Sequence, residues 1–179
     1  MIVRDILKEN YVKVIITDFV LRERQETQIK CKIVFSNEWE DIFIEGVGSG
    51  VVDVLFTSII NNLSKQFFSL KQISFDDFIM EVKFKTNIRK SASPVEIKLA
   101  LKNTRGKNIY FSSESQSMMK ATIAVVTIAC EYFINAEISI LQLRKDIENA
   151  KKRDRNDLLD TYVNQMIDLV TITSYEDAN

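Results

Sequence analysis

Two stretches near the beginning of the chain have hydrophobic patterns that are typical of strands. Residues 11–21 are rich in Val, Ile and Phe, and residues 27–35 alternate strictly. A period of two is typical of half-buried strands, and the charged segment 22–26 between the two stretches indicates a turn. A third short strand is expected over residues 39–44. The core-facing positions of the second strand are Ile29, Cys31, Ile33 and Phe35.

Residues 51–68 carry a different pattern, in which apolar residues recur every four positions. A spacing of this kind predicts an amphipathic helix. The positions are Val51, Leu55, Ile59, Leu63 and Phe67. Three strands followed by one helix give this first unit the order β-β-β-α.

The same order of elements is expected again in residues 70–135. Residues 78–88 and 95–102 alternate as strands do, Gly106 closes a hairpin onto residues 109–111, and a helix is expected from Met118 to about Asn135. When Ile42 is aligned with Ile109, both strand-to-helix junctions and both helices fall into register. The chain is therefore predicted to contain a tandem β-β-β-α repeat. This is an α+β fold with antiparallel sheets and helices packed on one face.

The second predicted helix is apolar nearly all round, so it needs cover from a sheet and from a neighbouring helix or another subunit. Residues 137–179 are also predicted to be helical, as either one bent helix or a helical hairpin, because the charged run 151–157 interrupts the apolar spacing. That run is interpreted as a solvated face. The expected organisation is a repeat domain, residues 1–136, followed by a helical extension, residues 137–179.

Charge and composition narrow the classes of function. With 24 basic and 25 acidic residues, the chain has no charge imbalance that favours nucleic acid or an anionic membrane as partner. Histidine is absent, which removes the usual general base at neutral pH and a common metal ligand. Neither a signal peptide nor a membrane span is expected. We therefore expect a cytoplasmic protein with buried, reduced Cys31 and Cys130, and without a metal or cofactor.

Three glycines lie together between the third predicted strand and the first predicted helix. They alternate with other residues in the run Gly46, Val47, Gly48, Ser49, Gly50, and Asp53 follows in the first helical turn. Glycines at a helix start leave backbone N–H groups uncovered, where a carboxylate or phosphate can dock. The alternative is a tight connection that needs glycine only for its geometry. A dinucleotide site fits poorly, because the strand belongs to an antiparallel meander, and no Walker-type Gly-Lys-Ser/Thr follows.

The run Ile-Glu-Gly-Val-Gly-Ser-Gly-Val-Val-Asp-Val-Leu, residues 44–55, inside a tandem β-β-β-α repeat resembles the signature of the regulatory domain of α-isopropylmalate synthase. Gly46, Gly48, Gly50 and Asp53 match the family's Gly-x-Gly-x-Gly-Pro-x-Asp-Ala-Leu pattern, and Val51 stands where proline is usual. The resemblance covers residues 11–135. It implies a dimeric domain that binds leucine near the helix starts and inhibits a separate catalytic barrel. The related citramalate synthase uses the same domain for isoleucine.

The second junction is rich in serine where the family tends to have glycine. Ser113, Ser115 and Ser117 are candidates for hydrogen bonds to an amino-acid ligand. The alternative, which the position favours, is that Ser115 or Ser117 is simply the N-cap of the second helix. A chain of this size without histidine does not supply the metal-dependent catalytic barrel of the synthase. We therefore expect no enzyme activity of that class.

The leading hypothesis is a non-catalytic module that forms homodimers or higher homo-oligomers and binds a branched-chain amino acid, with a synthase catalytic subunit as a further partner. The second hypothesis is a structural or interaction protein that has lost the ligand and assembles through its helical extension. A third, an enzyme of another type, rests only on the acid pair Glu45 and Asp53.

Overall fold

The first three strands form one antiparallel sheet. A computed structural model describes residues 2–37, 41–82 and 93–173. After helix α1 (Ile2–Leu7), it places strands β1 (Val14–Glu23), β2 (Thr27–Phe35) and β3 (Ile42–Gly48) in the order β1-β2-β3. The four apolar positions predicted for the core face of β2 are all buried. The alternation of residues 27–35 was therefore a reliable signal.

The second set of strands forms a separate antiparallel sheet. Helix α2 (Val51–Leu63) leads through a short 3-10 turn to β4 (Ile73–Val82), β5 (Val95–Asn103) and β6 (Asn108–Ser115), which lie in the order β4-β5-β6. The predicted α+β class and the predicted order of elements are confirmed. Gly106 in the β5–β6 turn has a φ of 79°, a conformation that glycine adopts without steric cost.

The two units have the same internal geometry. In each unit the first strand has ten residues and carries one additional residue, a bulge, at its fourth position; these residues are Thr17 in β1 and Asp76 in β4. Ile42 opens β3 opposite Ile33, and Ile109 occupies the equivalent place in β6 opposite Leu101. The alignment of Ile42 with Ile109 made from the sequence thus holds in the strand registers.

The long helix α3 (Met118–Lys152) packs on β5 and β6 of its own sheet and also contacts β1 of the other sheet. Helix α2 packs on β2 and β3, and its Phe56 ring lies 5.9 Å from the ring of Phe75 on β4. Each helix therefore touches its own sheet on one side and the first strand of the other unit on the other side. The helices lie between the two sheets, and one apolar core runs through all three layers.

Several predicted helix and strand boundaries were wrong. The second long helix does not end near Asn135 but continues to Lys152, so the predicted division at residues 136 and 137 falls inside one continuous helix. Helix α2 ends at Leu63 instead of residue 68, and β1 covers Val14–Glu23 instead of residues 11–21. Strand β3 extends beyond the predicted 39–44, and β4 begins before the predicted 78–88; residues 39, 40 and 83–88 lie outside the described residues.

Of the two forms expected for the helical extension, the structure has the hairpin. A turn at residues 153–155 connects α3 to helix α4 (Asn156–Thr173), which packs back against α3 and buries Leu169 and Thr173. The charged run 151–157 is exposed, as predicted. Helix α1 also packs on α3. Most of the cover that the apolar helix requires therefore comes from its own chain.

By length and composition alone, α3 is apolar enough to cross a membrane. However, 61% of its most apolar 18-residue window is buried inside the fold. Burial of this kind is typical of the central helix of a globular core, which meets the same criterion.

Candidate functional site

The glycines of the first junction serve close packing between a strand and a helix. Gly46 and Gly48 lie within β3 and face α2. A Cβ atom on Gly46 would come within 1.8 Å of Ser58 Oγ, and one on Gly48 within 2.6 Å of Val54 Cγ2. Neither glycine has a positive φ. Glycine is therefore needed at these two positions for geometry, as the alternative interpretation held. The reason is the close approach of β3 to α2 and not a sharp turn.

The open part of the junction begins at Gly50. This residue is the N-cap of α2, with extended backbone angles, and a Cβ atom there would meet nothing within 4 Å. The carbonyl of Gly50 accepts the N–H of Val54 at 2.9 Å, while a glycine cap offers no side chain to the N–H groups of the first turn. Val47, Ser49 and Asp53 are exposed, and Asp53 accepts a bond of 3.4 Å from Thr57 Oγ1. An anion could reach this helix start without displacing a side chain.

At the second junction, the serines cap the helix. Ser117 is the N-cap of α3, and its Oγ accepts the N–H of Lys120 at 3.4 Å. Ser115 Oγ in turn accepts the N–H of Ser117 at 3.2 Å. The capping role considered from the sequence is thus the one observed for Ser117. Ser113 is half-buried on β6, opposite Ile97.

The two junctions differ in where the larger side chain lies. It is on the helix in the first unit and on the strand in the second. The alignment that pairs Ile42 with Ile109 also pairs Gly48 with Ser115 and Val54 with Ala121. A glycine faces a valine in the first unit, whereas the second unit has a serine and an alanine at the same two positions. Packing against Val54 therefore explains Gly48, and the smaller Ala121 is consistent with a serine at the equivalent position of the second unit.

A second candidate site is a groove of about 690 Å³ that runs beside β6. Its floor is α3, with Ile128, Glu131 and Tyr132, and its far wall is formed by the N-terminal part of the chain and the end of α4. The lining residues from β6 and its preceding turn are Lys107, Asn108, Ile109, Tyr110 and Phe111. The sequence analysis missed this groove, because its walls come from segments far apart in the chain.

One end of the groove contains a hydrogen-bonded cluster. The O–H of Tyr11 donates to Glu131 Oε1 at 2.8 Å, and the N–H of Val14 donates to Glu131 Oε2 at 3.1 Å. Burial, together with the adjacent Glu131 carboxylate, raises the pKa of Tyr11 to about 12. The guanidinium of Arg4 lies 4.9 Å from the centre of the Tyr11 ring. Tyr11 and Glu131 thus fasten β1 to α3 and form a fixed wall of the groove.

The cysteines and acidic groups offer little reactive chemistry. Cys31 and Cys130 are free and buried, as predicted, and burial raises the pKa of their thiols to about 11 and about 12. Thiols with such pKa values are poor nucleophiles at neutral pH. Within the described ranges, no three His, Cys, Asp or Glu side chains are grouped so that they could hold a metal ion.

Comparison with known proteins adds no relative. The chain matches no protein-family model and no curated protein sequence. The resemblance of residues 44–55 to the regulatory domain of α-isopropylmalate synthase therefore stays a prediction from the sequence.

Proposed function

We propose that the chain is a non-catalytic, regulatory-type module of the cytoplasm that forms homodimers and binds a branched-chain amino acid such as leucine or isoleucine. The observation that carries the proposal is the duplicated β-β-β-α unit, with equal strand registers and with both helices capped at equivalent positions, Gly50 and Ser117. The ligand is suggested by residues 44–55, which resemble the signature of a domain that binds leucine. The partner that such a module would regulate is a synthase catalytic subunit.

The amino acid would bind at the start of α2. Its carboxylate would accept hydrogen bonds from the first-turn N–H groups after Gly50, where the helix dipole adds positive potential. Its ammonium group would pair with the exposed carboxylate of Asp53. Gly46 and Gly48 would not touch the ligand, because α2 covers them. A micromolar Kd corresponds to about −8 kcal/mol, which a few charge-assisted bonds and one apolar side chain can supply.

Isothermal titration calorimetry with leucine, isoleucine and valine tests the proposal. We expect binding to the unmodified chain, and at least tenfold weaker binding to Asp53→Asn and Gly50→Ser. The serine hydroxyl of Gly50→Ser would occupy the same first-turn N–H groups, as Ser117 does in the second unit. Ser49→Ala is the matched control, because it changes an exposed side chain beside Gly50 and keeps every backbone N–H group of the proposed site. Heats equal to buffer for all three amino acids would refute amino-acid binding.

The alternative function, an assembly protein, is favoured by the outer surface of the α3–α4 hairpin. Leu141, Val163 and Ile167 are exposed there, and Ile167 is 56% exposed. Val163 and Ile167 are four residues apart and therefore share one face of α4. Helix α2 covers Gly46 and Gly48, so these glycines serve packing, which agrees with a structural protein that needs no ligand.

Light scattering of the full chain tests this alternative. If the hairpin joins copies of the chain, Val163→Lys with Ile167→Lys should give monomers, and the exposed polar neighbour Asn164→Lys should not. Substitutions are preferable to a deletion after Asn135, which would remove the buried residues Ile140 and Leu143 from the core. An unchanged oligomer in the double variant would contradict assembly through α4.

A further inference from the structure

The groove beside β6 exposes the edge of a sheet. Among the described strands, β6 pairs only with β5, so its other edge has N–H and C=O groups without a strand partner. Five consecutive residues, 107–111, line the groove along this edge. An edge of this kind can accept a further strand through main-chain hydrogen bonds. The apolar floor beneath it would receive every second side chain of such a strand.

The first unit contains the equivalent groove, which serves as an internal comparison. There, Asp41, Ile42 and Phe43 of the β3 side face the end of α2, and the volume is about 410 Å³. Phe43 and Tyr110 occupy equivalent positions and are 73% and 72% exposed. The floor of the first groove is polar and carries Asn62, Lys65 and Gln66 together with Leu63.

Among the described residues, the floor of the second groove is the more apolar, with Ile128 and Tyr132 beside Glu131, and the rest of the chain adds walls to this groove. Tyr132 occupies the place equivalent to Lys65, and Ile128, which is 46% exposed, also lies on the floor. Arg4 and Tyr11 close one side, and Ile172 of α4 adds to the lining. Since both grooves come from the same repeat, these differences belong to the second groove itself and are not a general consequence of the fold.

The charges around the second groove favour an acidic occupant. Arg4 and Lys107 line it and form no ion pair within the described part of the chain. The one lining carboxylate, Glu131, already accepts hydrogen bonds from Tyr11 and from the backbone of Val14. Lys107 is thus available to a ligand, while Arg4 contacts the Tyr11 side chain and keeps further N–H donors of its guanidinium for a carboxylate. The nearby anion, Glu131, is neutralised in part by its own donors.

We propose that the groove binds an extended, acidic segment of a partner protein, which adds as a strand beside β6. Acidic side chains of the segment pair with Arg4 and Lys107, and alternate apolar side chains lie on Ile128 and Tyr132. At about 3.3 Å per residue, residues 107–111, of which the last four belong to β6, match a segment of roughly five or six residues. This role goes beyond the proposed amino-acid site at Gly50 and does not depend on it.

Two synthetic octapeptides test the charge preference. Both are acetylated and amidated, one alternating valine with glutamate and the other alternating valine with lysine. We expect the valine–glutamate peptide to bind the full chain at least tenfold more tightly than the valine–lysine peptide, with weaker binding as salt rises. Hydrogen exchange should slow at every second backbone amide of residues 108–111 when the acidic peptide binds, because the amides that point away from β5 then face a new strand. Equal binding of the two peptides would overturn the proposal.

Paired variants locate the site. Arg4→Glu with Lys107→Glu should weaken the binding of the acidic peptide about tenfold. Ile128→Glu should weaken it to the same extent, because it places a charge on the floor of the groove. Asn61→Glu, at the position equivalent to Ile128 in the first unit, is the matched control and should leave affinity unchanged. Circular dichroism and thermal unfolding establish that each variant is folded. Folded groove variants that bind as tightly as the unmodified chain would overturn the proposal.

A chain shortened after Thr173 tests a competing occupant. The residues that follow include Glu176 and Asp177, which carry the same charge as the proposed partner. We expect the acidic peptide to bind the full and shortened chains with equal affinity. Binding that occurs only in the shortened chain would overturn the proposal, because it would identify the chain's own end as the occupant.

Discussion

Alanine at Gly48 tests whether the glycines of the first junction exist for packing. The added methyl group would stand 2.6 Å from Val54 Cγ2, whereas carbon atoms in ordinary contact are about 3.5 to 4.0 Å apart. Val54 is buried, and a valine in a helix has one strongly preferred rotamer, so it cannot turn away without strain. Strand and helix must therefore separate by about 1 Å.

The expected cost of Gly48→Ala is about 1–3 kcal/mol, the range for inserting a methyl group into a packed site. Part of the cost is offset by about 0.4–1 kcal/mol, since alanine restricts the unfolded chain more than glycine does. Val54→Ala alone should cost about 2 kcal/mol through two lost methyl groups. The double variant should cost no more than Val54→Ala, because the smaller helix residue makes room for the new methyl group.

Urea unfolding of the four chains, followed by circular dichroism, measures the coupling between Gly48 and Val54. We expect the double variant to be more stable than the sum of the single changes by about 1–3 kcal/mol. Ser49→Ala is the control and should change stability by less than about 0.5 kcal/mol, because Ser49 is an exposed residue beside the same junction. Additive costs, or a Gly48→Ala chain as stable as the unmodified one, would refute the packing explanation.

Three further results are expected. Asn135→Ala should cost about 2–4 kcal/mol in urea unfolding, because its buried amide pairs with both the N–H and the C=O of Val12, at 2.8 and 2.6 Å. Stability should fall from about pH 10 to about pH 12 and fall less in Tyr11→Phe, because the Tyr11 pKa is about 12 in the folded chain and about 10 when unfolded; an equal loss in both chains would contradict this. Cys31 and Cys130 should react with a thiol reagent at pH 7 only as fast as the fold opens, so labelling that is as fast as in urea would disprove their burial.

Local signals in the sequence identified the elements well. The two-residue period of β2, the four-residue spacing of α2 and the serine before α3 each depend on neighbours within a few positions. The alignment of Ile42 with Ile109 also succeeded, because both strands run directly into a helix. Features of this kind depend on residues that are close together in the sequence, so they can be predicted without the tertiary structure.

The full length of α3 could not be predicted, because polar residues near its predicted end are satisfied by distant parts of the chain. The sequence predicts a helix to about Asn135 and a separate extension from Glu137, yet both residues are buried within one helix. Asn135 bonds to Val12, and a Glu137 oxygen accepts the N–H of Ser69 at 2.7 Å. Without knowledge of these partners, polarity indicates exposure, and the helix is ended too early.

Of the two candidate sites, one could be predicted from the sequence and the other could not. The open start of α2 follows from the glycine run and was predicted, but Gly46 and Gly48 were grouped with Gly50 although α2 covers them. A glycine needed for close approach and one needed for ligand access look identical in a sequence. The groove beside β6 combines residues as distant as Arg4 and Ile172, so no local motif could have indicated it.

Thermal unfolding with and without amino acid tests the proposed function most directly. At a leucine or isoleucine concentration of about 100 times Kd, binding to the folded state adds about 2.7 kcal/mol, which raises Tm by about 5–10 °C for a chain of this size. Glycine, which lacks the aliphatic side chain, should leave Tm unchanged at the same concentration. A Tm that none of leucine, isoleucine and valine raises, up to millimolar concentration, would contradict a branched-chain amino-acid receptor.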